Sequence, residues 1–314
     1  MLPFGSFLNI AGMFTKEKEM EYKEFLDAVC DYVNESDEGV NVSVHSAVKN
    51  NGVKLSGLSF SRKDRNASPT IYMENYYQDY KNGADICDIG DRLIFMYREN
   101  DLGVNLDMSF FDSFDTVKDR LYIKLINRNK NEEFLKEVPY EGFLDLAIVA
   151  YVRVNEKKIG NGLIMVRNEH LKLWGCDAKT VLNTARTNTH DHDDYSIKHI
   201  MDVLSASAYK YLSENEMSKD DLPMYVATNK NMINGAAVIT MPDKLREYAD
   251  VIGGDYYVIP SSVHEVILLG KVSKDGPYDM DGMIREINEA WLGPDDVLAD
   301  HAYMYSKDDG VLIF

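Results

Sequence analysis

The chain has 314 residues, a formal net charge of −18 and three cysteines. That charge argues against a general nucleic-acid binder, which needs Lys and Arg gathered on one face to meet phosphates. A hydrophobic fraction of 45% with 27% charged residues is that of a globular protein and excludes a disordered chain, and no apolar run is long enough to cross a bilayer.

Residues 1–14, MLPFGSFLNIAGMF, are apolar but lack a basic leader and a small-residue cleavage site. They read as a segment that packs on the body or is poorly ordered. A first helix is expected over residues 18–34, because Tyr22, Phe25, Leu26, Val29, Cys30 and Val33 recur at three- and four-residue spacing. Cys30 on that apolar face reads as a small core residue. Val40, Val42 and Val44 then alternate with polar residues as a half-buried strand. Asn50-Asn51-Gly52 is a hairpin signal, since Asn and Gly tolerate positive φ. Return strands follow over 53–60 and 70–73, and helical segments over 76–100 and 115–126, the latter with Val117, Leu121, Leu125 and Ile126 as its buried stripe.

Composition shifts near Pro139. Residues 144–154, LDLAIVAYVRV, read as a buried strand. Gly160-Asn161-Gly162 turns the chain into a second strand over 163–166, and Asn168 caps a helical stretch carrying His170, Leu171 and Trp174. A helix over 178–187, a polar loop over 188–195 and an amphipathic helix with Ile197, Ile200, Met201, Leu204, Ala208, Tyr211 and Leu212 come next. Strands are expected over 224–228, 236–240, 256–259 and 265–269. Pro242 opens a helix that Gly253-Gly254 stops. A last helix buries Met280, Met283, Ile284, Ile287 and Trp291, before a hairpin over 301–305 and 311–314. The expected fold class is α+β (mixed α/β), with antiparallel or mixed sheets and helices packed on one face. Its parts are residues 1–138 and 139–314, either separate or sharing one core.

Several stretches, FLDLAIVAYVRV, GNGLIMVRNEHLKLWG, DLPMYVATNKNMINGAAVIT, DYYVIPSSVHEVILL and DDVLADHAYMYS, together with VKDRLYIKLIN and KEVPY, resemble the uncharacterised bacterial family domain of unknown function 5688 over residues 21–309. The resemblance implies an intracellular protein, mostly of gut-dwelling Firmicutes and often on mobile elements. It carries over no catalytic residue.

The residues themselves offer two candidate centres. In Thr189-His190-Asp191-His192-Asp193-Asp194-Tyr195, imidazoles and carboxylates stand at a density that suits a divalent metal, with His190, His192 and Asp194 as ligands. The alternative is a solvated loop that caps the next helix. In Pro260-Ser261-Ser262-Val263-His264-Glu265, a Ser and a His two apart on a strand point the same way, so Ser262 and His264, with His301 after Asp300, form a candidate nucleophile–base set. No GxSxG elbow accompanies them, and the alternative is a turn whose hydroxyls satisfy its backbone. The cysteines Cys30, Cys87 and Cys176 are widely spaced and fit a reducing, cytoplasmic compartment. No cofactor is predicted apart from that divalent metal. The leading expectation is a non-enzymatic interaction or regulatory protein with an unknown protein partner and no direct nucleic-acid binding. The alternatives are a Ser/His or metal-dependent hydrolase and an acidic mimic of DNA.

Overall fold

A computed structural model describes residues 20–37, 39–66, 68–100, 105, 107–156, 160–206, 223–260, 262–271 and 280–314. The apolar stretch 1–14, Ser261 and the far half of the amphipathic segment at 197–212 lie outside them. The chain divides into two compact units, Met1–Ala47 with Lys54–Leu106, and Val48–Val53 with Asp107–Phe314. Pro139 lies inside the second unit. The fold is α+β, and every described strand register is antiparallel.

In the first unit, α1 (Tyr22–Ser36) buries Phe25, Leu26, Val29, Cys30 and Val33, the stripe its periodicity predicts. It packs on α3 (Ile86–Asn100) beside a three-stranded sheet of β1 (Asn41–Val48), β2 (Lys54–Ser61) and β3 (Thr70–Tyr72), with α2 (Glu74–Lys81) between β3 and α3 in the chain. The close helix contact needs Gly90, where a Cβ would stand 2.2 Å from the Tyr32 ring.

The second unit corrects three expectations. The segment 115–126 is not one helix. A short α4 (Phe114–Val117) and a 3-10 turn lead into β4 (Leu121–Asn127). Apolar residues on both faces of β4 imitate helical spacing, and periodicity alone cannot separate the two. The expected loop at 188–195 is the last turn of α7 (Ala178–His192) and the start of β8 (Tyr195–His199), so the expected helix from Ile197 begins only at α8 (Ile200–Ala206). The expected strand at 236–240 is a buried 3-10 segment.

One sheet pairs β4 and β5 (Tyr140–Phe143) to opposite edges of β6 (Leu146–Glu156), with β7 (Gly160–Met165) continuing along β6. The other runs β13-β12-β10-β11-β9-β8, where β9 is Met224–Asn229, β10 Tyr256–Ile259, β11 Val266–Gly270, β12 Tyr303–Ser306 and β13 Val311–Ile313. Leu121, Ile123 and Leu125 of β4 with Ile148, Ala150 and Val152 of β6 face a core shared with Val181, Leu182 and Ala185 of α7 and with the inward residues of β10, β11 and β12. Helix α6 (Asn168–Trp174) and helix α9 (Pro242–Ile252), closed by Gly253 in a left-handed conformation, contribute Trp174, Leu245, Tyr248 and Ala249 to it. Helix α10 (Met280–Trp291) buries Ile284 and Asn288, but Met283, Ile287 and Trp291 are exposed, contrary to the expected stripe. No helix among the described residues is long and apolar enough to cross a membrane.

Candidate functional site

Side chains two apart on a strand share a face, so Tyr122, Lys124 and Ile126 of β4 leave the core side together. The registers Tyr122↔Tyr151, Lys124↔Val149 and Ile126↔Ala147, then Arg153↔Leu163 and Tyr151↔Met165, extend this face across β6 and β7. While Ala147 and Val149 are covered by Leu135 and Val138 in a small second core, part of this face lines two adjoining cavities. One, about 350 Å³, is lined by Lys124, His264, Asn234, Asp295 and Asp296 among apolar Ile126, Phe134 and Met165. The other, about 380 Å³, is lined by Tyr122, Tyr151, Arg153, Arg120, Asp119 and Asn231. Leu163 and Ile233 belong to both. Both volumes are in the range of small-molecule sites, and the first cavity has the mixture of apolar wall with a few convergent polar groups that such sites share, whereas the second is more polar.

Lys124 is the only residue of β4 that is not fully buried. Burial holds its amine below the usual lysine range, against the opposing pull of Asp296 and Asp295. No hydrogen bond or ion pair reaches it among the described residues.

The walls are held by hydrogen bonds, some within one loop and others between segments distant in the chain. Asn229, at the end of β9, accepts from the Asn231 and Ile233 amides through Oδ1 and donates to the Ile233 carbonyl, an Asx arrangement that folds the loop on itself. Met232 and Asn234 in this loop adopt left-handed φ of 54° each, a conformation that costs energy in residues other than glycine and gathers at functional sites. His264 is fixed from both ends. Nδ1 accepts from the Asn234 amide at 3.2 Å, which places the ring proton on Nε2, 3.2 Å from Asp296 Oδ1. The loop carrying Asp295 and Asp296 is held by the 3-10 turn at Asn50–Gly52. Asn50 donates to the Asp295 carbonyl and Asn51 to those of Pro294 and Val297.

In the second cavity Arg153 makes a bidentate pair with Asp193 at 2.7 and 2.8 Å and donates to the Tyr151 hydroxyl, while its guanidinium lies 3.5 Å from the Tyr122 ring centre. Burial opposes its charge, but the bonds to Asp193 and Tyr151 hold its pKa above the ordinary range. Burial, then the Asp193 charge, pushes the nearby Tyr195 phenol up.

Of the sequence candidates, only His264 reaches this cleft with its ring. Ser262 is buried, and its Oγ accepts from the backbone amide of His264 at 3.0 Å. With both ring nitrogens of His264 engaged elsewhere, no Ser–His nucleophile pair forms. His301 is not joined to His264. Its Nε2 lies 3.0 Å from Asp145, which also accepts from the Tyr303 hydroxyl at 2.7 Å. Asp145 follows Leu144, which holds a left-handed φ of 53° at the β5–β6 turn.

The metal candidates are separated by the helix that carries them. His190 and His192 are two apart on α7, a spacing that does not share a helix face. His190 spends both ring nitrogens on Asp191 and Asp243, at 2.9 Å each, and these two carboxylates raise its pKa. His192 and Asp194 are exposed. Among the described residues no group of three or more His, Cys, Asp and Glu is arranged to hold a metal ion.

Lys124 and Arg153 are the residues that motif reading misses. The signal for each is a lone cation inside an apolar strand, LYIKLIN and AIVAYVRV. Residues 22–307 match a family described as a family of unknown function, DUF5688. No curated protein and no solved structure matches the chain.

Proposed function

We propose, for a chain that belongs to DUF5688, a family of unknown function, that its second unit is a ligand-binding module for a small zwitterion of the amino-acid type. The observation that carries this reading is Lys124, an amine set into a buried strand at the floor of a cavity with no carboxylate bonded to it. The Lys124 amine is partly desolvated and opens to the cavity, where a ligand carboxylate supplies the partner it lacks. The same cavity is lined by Asp295 and Asp296, which suit a ligand ammonium group and oppose a simple anion. Lys124 and the aspartates therefore match the two charges of a dipolar molecule.

The reading goes with a regulatory, non-enzymatic role, in which ligand capture changes what a partner protein meets. Three free cysteines fit a cytoplasmic setting, and the charge of −18 opposes direct nucleic-acid contact. A hydrolase built on Ser262 draws no support from a hydroxyl committed to the backbone.

The test is titration calorimetry of the full chain with the standard amino acids and with their amides and N-acetyl derivatives. Free amino acids bind and blocked ones do not, and Lys124→Met weakens binding about 10- to 150-fold, the range of a hydrogen bond to a charged group. Equal binding of an amino acid and its amide would sink the proposal.

A further inference from the structure

We infer that the ligand carries a planar aromatic side chain, which enters the second cavity and stacks at Arg153 while its charged end occupies the Lys124 cavity. This rests on the zwitterion reading of that cavity. Three observations lead to it. First, the cavities adjoin through Leu163 and Ile233, and Tyr122 and Lys124 stand two apart on one strand face, about 7 Å along it. That is the order of the reach from the carboxylate to the ring in an aromatic amino acid.

Second, Arg153 is not an anion anchor. Its fork is already matched by both oxygens of Asp193 and by the Tyr151 hydroxyl. A second anion would compete with a carboxylate that is itself almost wholly buried. What Arg153 still offers is a fixed, flat, polarisable surface. Tyr122 covers one side of the guanidinium at 3.5 Å, and Arg153 still contributes to the cavity wall. A guanidinium held in this way stacks on aromatic rings.

Third, the wall is itself aromatic, with the Tyr122 and Tyr151 rings 6.2 Å apart at 34°. Paired tyrosines at this separation are within the range over which rings interact favourably. An aliphatic side chain would fill the space but forgo the stacking.

The measurement is a ligand series on the unaltered protein, comparing phenylalanine and tyrosine with leucine and alanine, repeated on Tyr122→Leu and Lys124→Met. The expected result is a preference of about ten-fold for the aromatic amino acids over leucine. Tyr122→Leu erases that preference while leucine still binds. If leucine or alanine binds as tightly as phenylalanine, and Lys124→Met weakens both, the aromatic subsite is wrong while the Lys124 site stands. If no amino acid binds the unaltered chain, both inferences fall. Because the series runs on the unaltered protein, a Tyr122 variant that fails to fold leaves the question decidable.

Discussion

Arg153 and Lys124 stand on neighbouring strands with their side chains on one face, yet their surroundings treat them oppositely. Arg153 has a bidentate carboxylate, a phenol and a ring, whereas Lys124 shares a cavity with Asp295 and Asp296 but is bonded to neither. Breaking a buried pair costs more than the pair contributes, because the surviving charge is left without compensation. The side chain of Asp193 is 3% exposed, that of Arg153 25%. Arg153→Ala therefore leaves a buried carboxylate with one long contact from Asn229, at 3.4 Å. The expected loss is about 3 kcal/mol in urea unfolding, at the lower end for buried pairs because Arg153 is partly open to water. Adding Asp193→Asn removes the stranded charge and recovers part of that loss. A double variant no more stable than Arg153→Ala alone would show that the carboxylate is solvated after all.

At the scale of elements, segments with one apolar face, and the long continuous apolar run of β6, were legible. Helices α1 and α9, strands β6, β10 and β11 and the closing hairpin follow from periodicity, Pro at a helix start and Gly at its end. What failed did so for two opposite reasons. Strand β4 and the 3-10 segment at Gly235–Thr240 are buried on every side, so no polar face marks their period. The last turn of α7 failed for the opposite reason. Its polar residues look like a loop, but Asn188 and Thr189 are buried and serve the backbone of β4, an edge strand. Asn188 donates to the Lys118 and Leu121 carbonyls, and Thr189 Oγ1 accepts from the Ile123 amide at 2.9 Å while donating to Ala185. The candidate site was half legible for a related reason. His264 carries chemistry in its name, but Lys124 becomes visible only when β4 is known to be a strand. Thr189→Val strands the Ile123 amide and is expected to cost about 1–3 kcal/mol, whereas Thr189→Ser keeps the acceptor. Hydrogen exchange reads this directly, with protection of the Ile123 amide lost in the Val variant and kept in Ser. Equal protection in both would mean the hydroxyl does not hold the edge.

At the scale of the whole molecule, the chain is rich in carboxylates, yet it leaves a partly buried lysine unbonded at the floor of a cavity, an arrangement that lowers stability and persists where function requires it. Lys124→Met keeps the length and apolar bulk of the side chain and removes the amine. The variant is expected to be more stable than the parent at neutral pH, by less than the roughly 1–3 kcal/mol of a fully buried unsatisfied polar group, because the amine opens to the cavity. The pH dependence separates this from simple repacking. Burial lowers the folded-state pKa of Lys124 below its unfolded value, so between the two pKa values the unfolded chain binds more protons and stability rises with pH. The penalty is complete below the folded pKa and fades as pH climbs through the unfolded one. The gap in melting temperature between Lys124→Met and the parent should therefore narrow as pH is raised from 7 towards 10. Saturating zwitterion should narrow it too, by supplying the missing carboxylate to the parent alone. A gap that is constant across this range would assign the gain to packing and leave Lys124 without an electrostatic role.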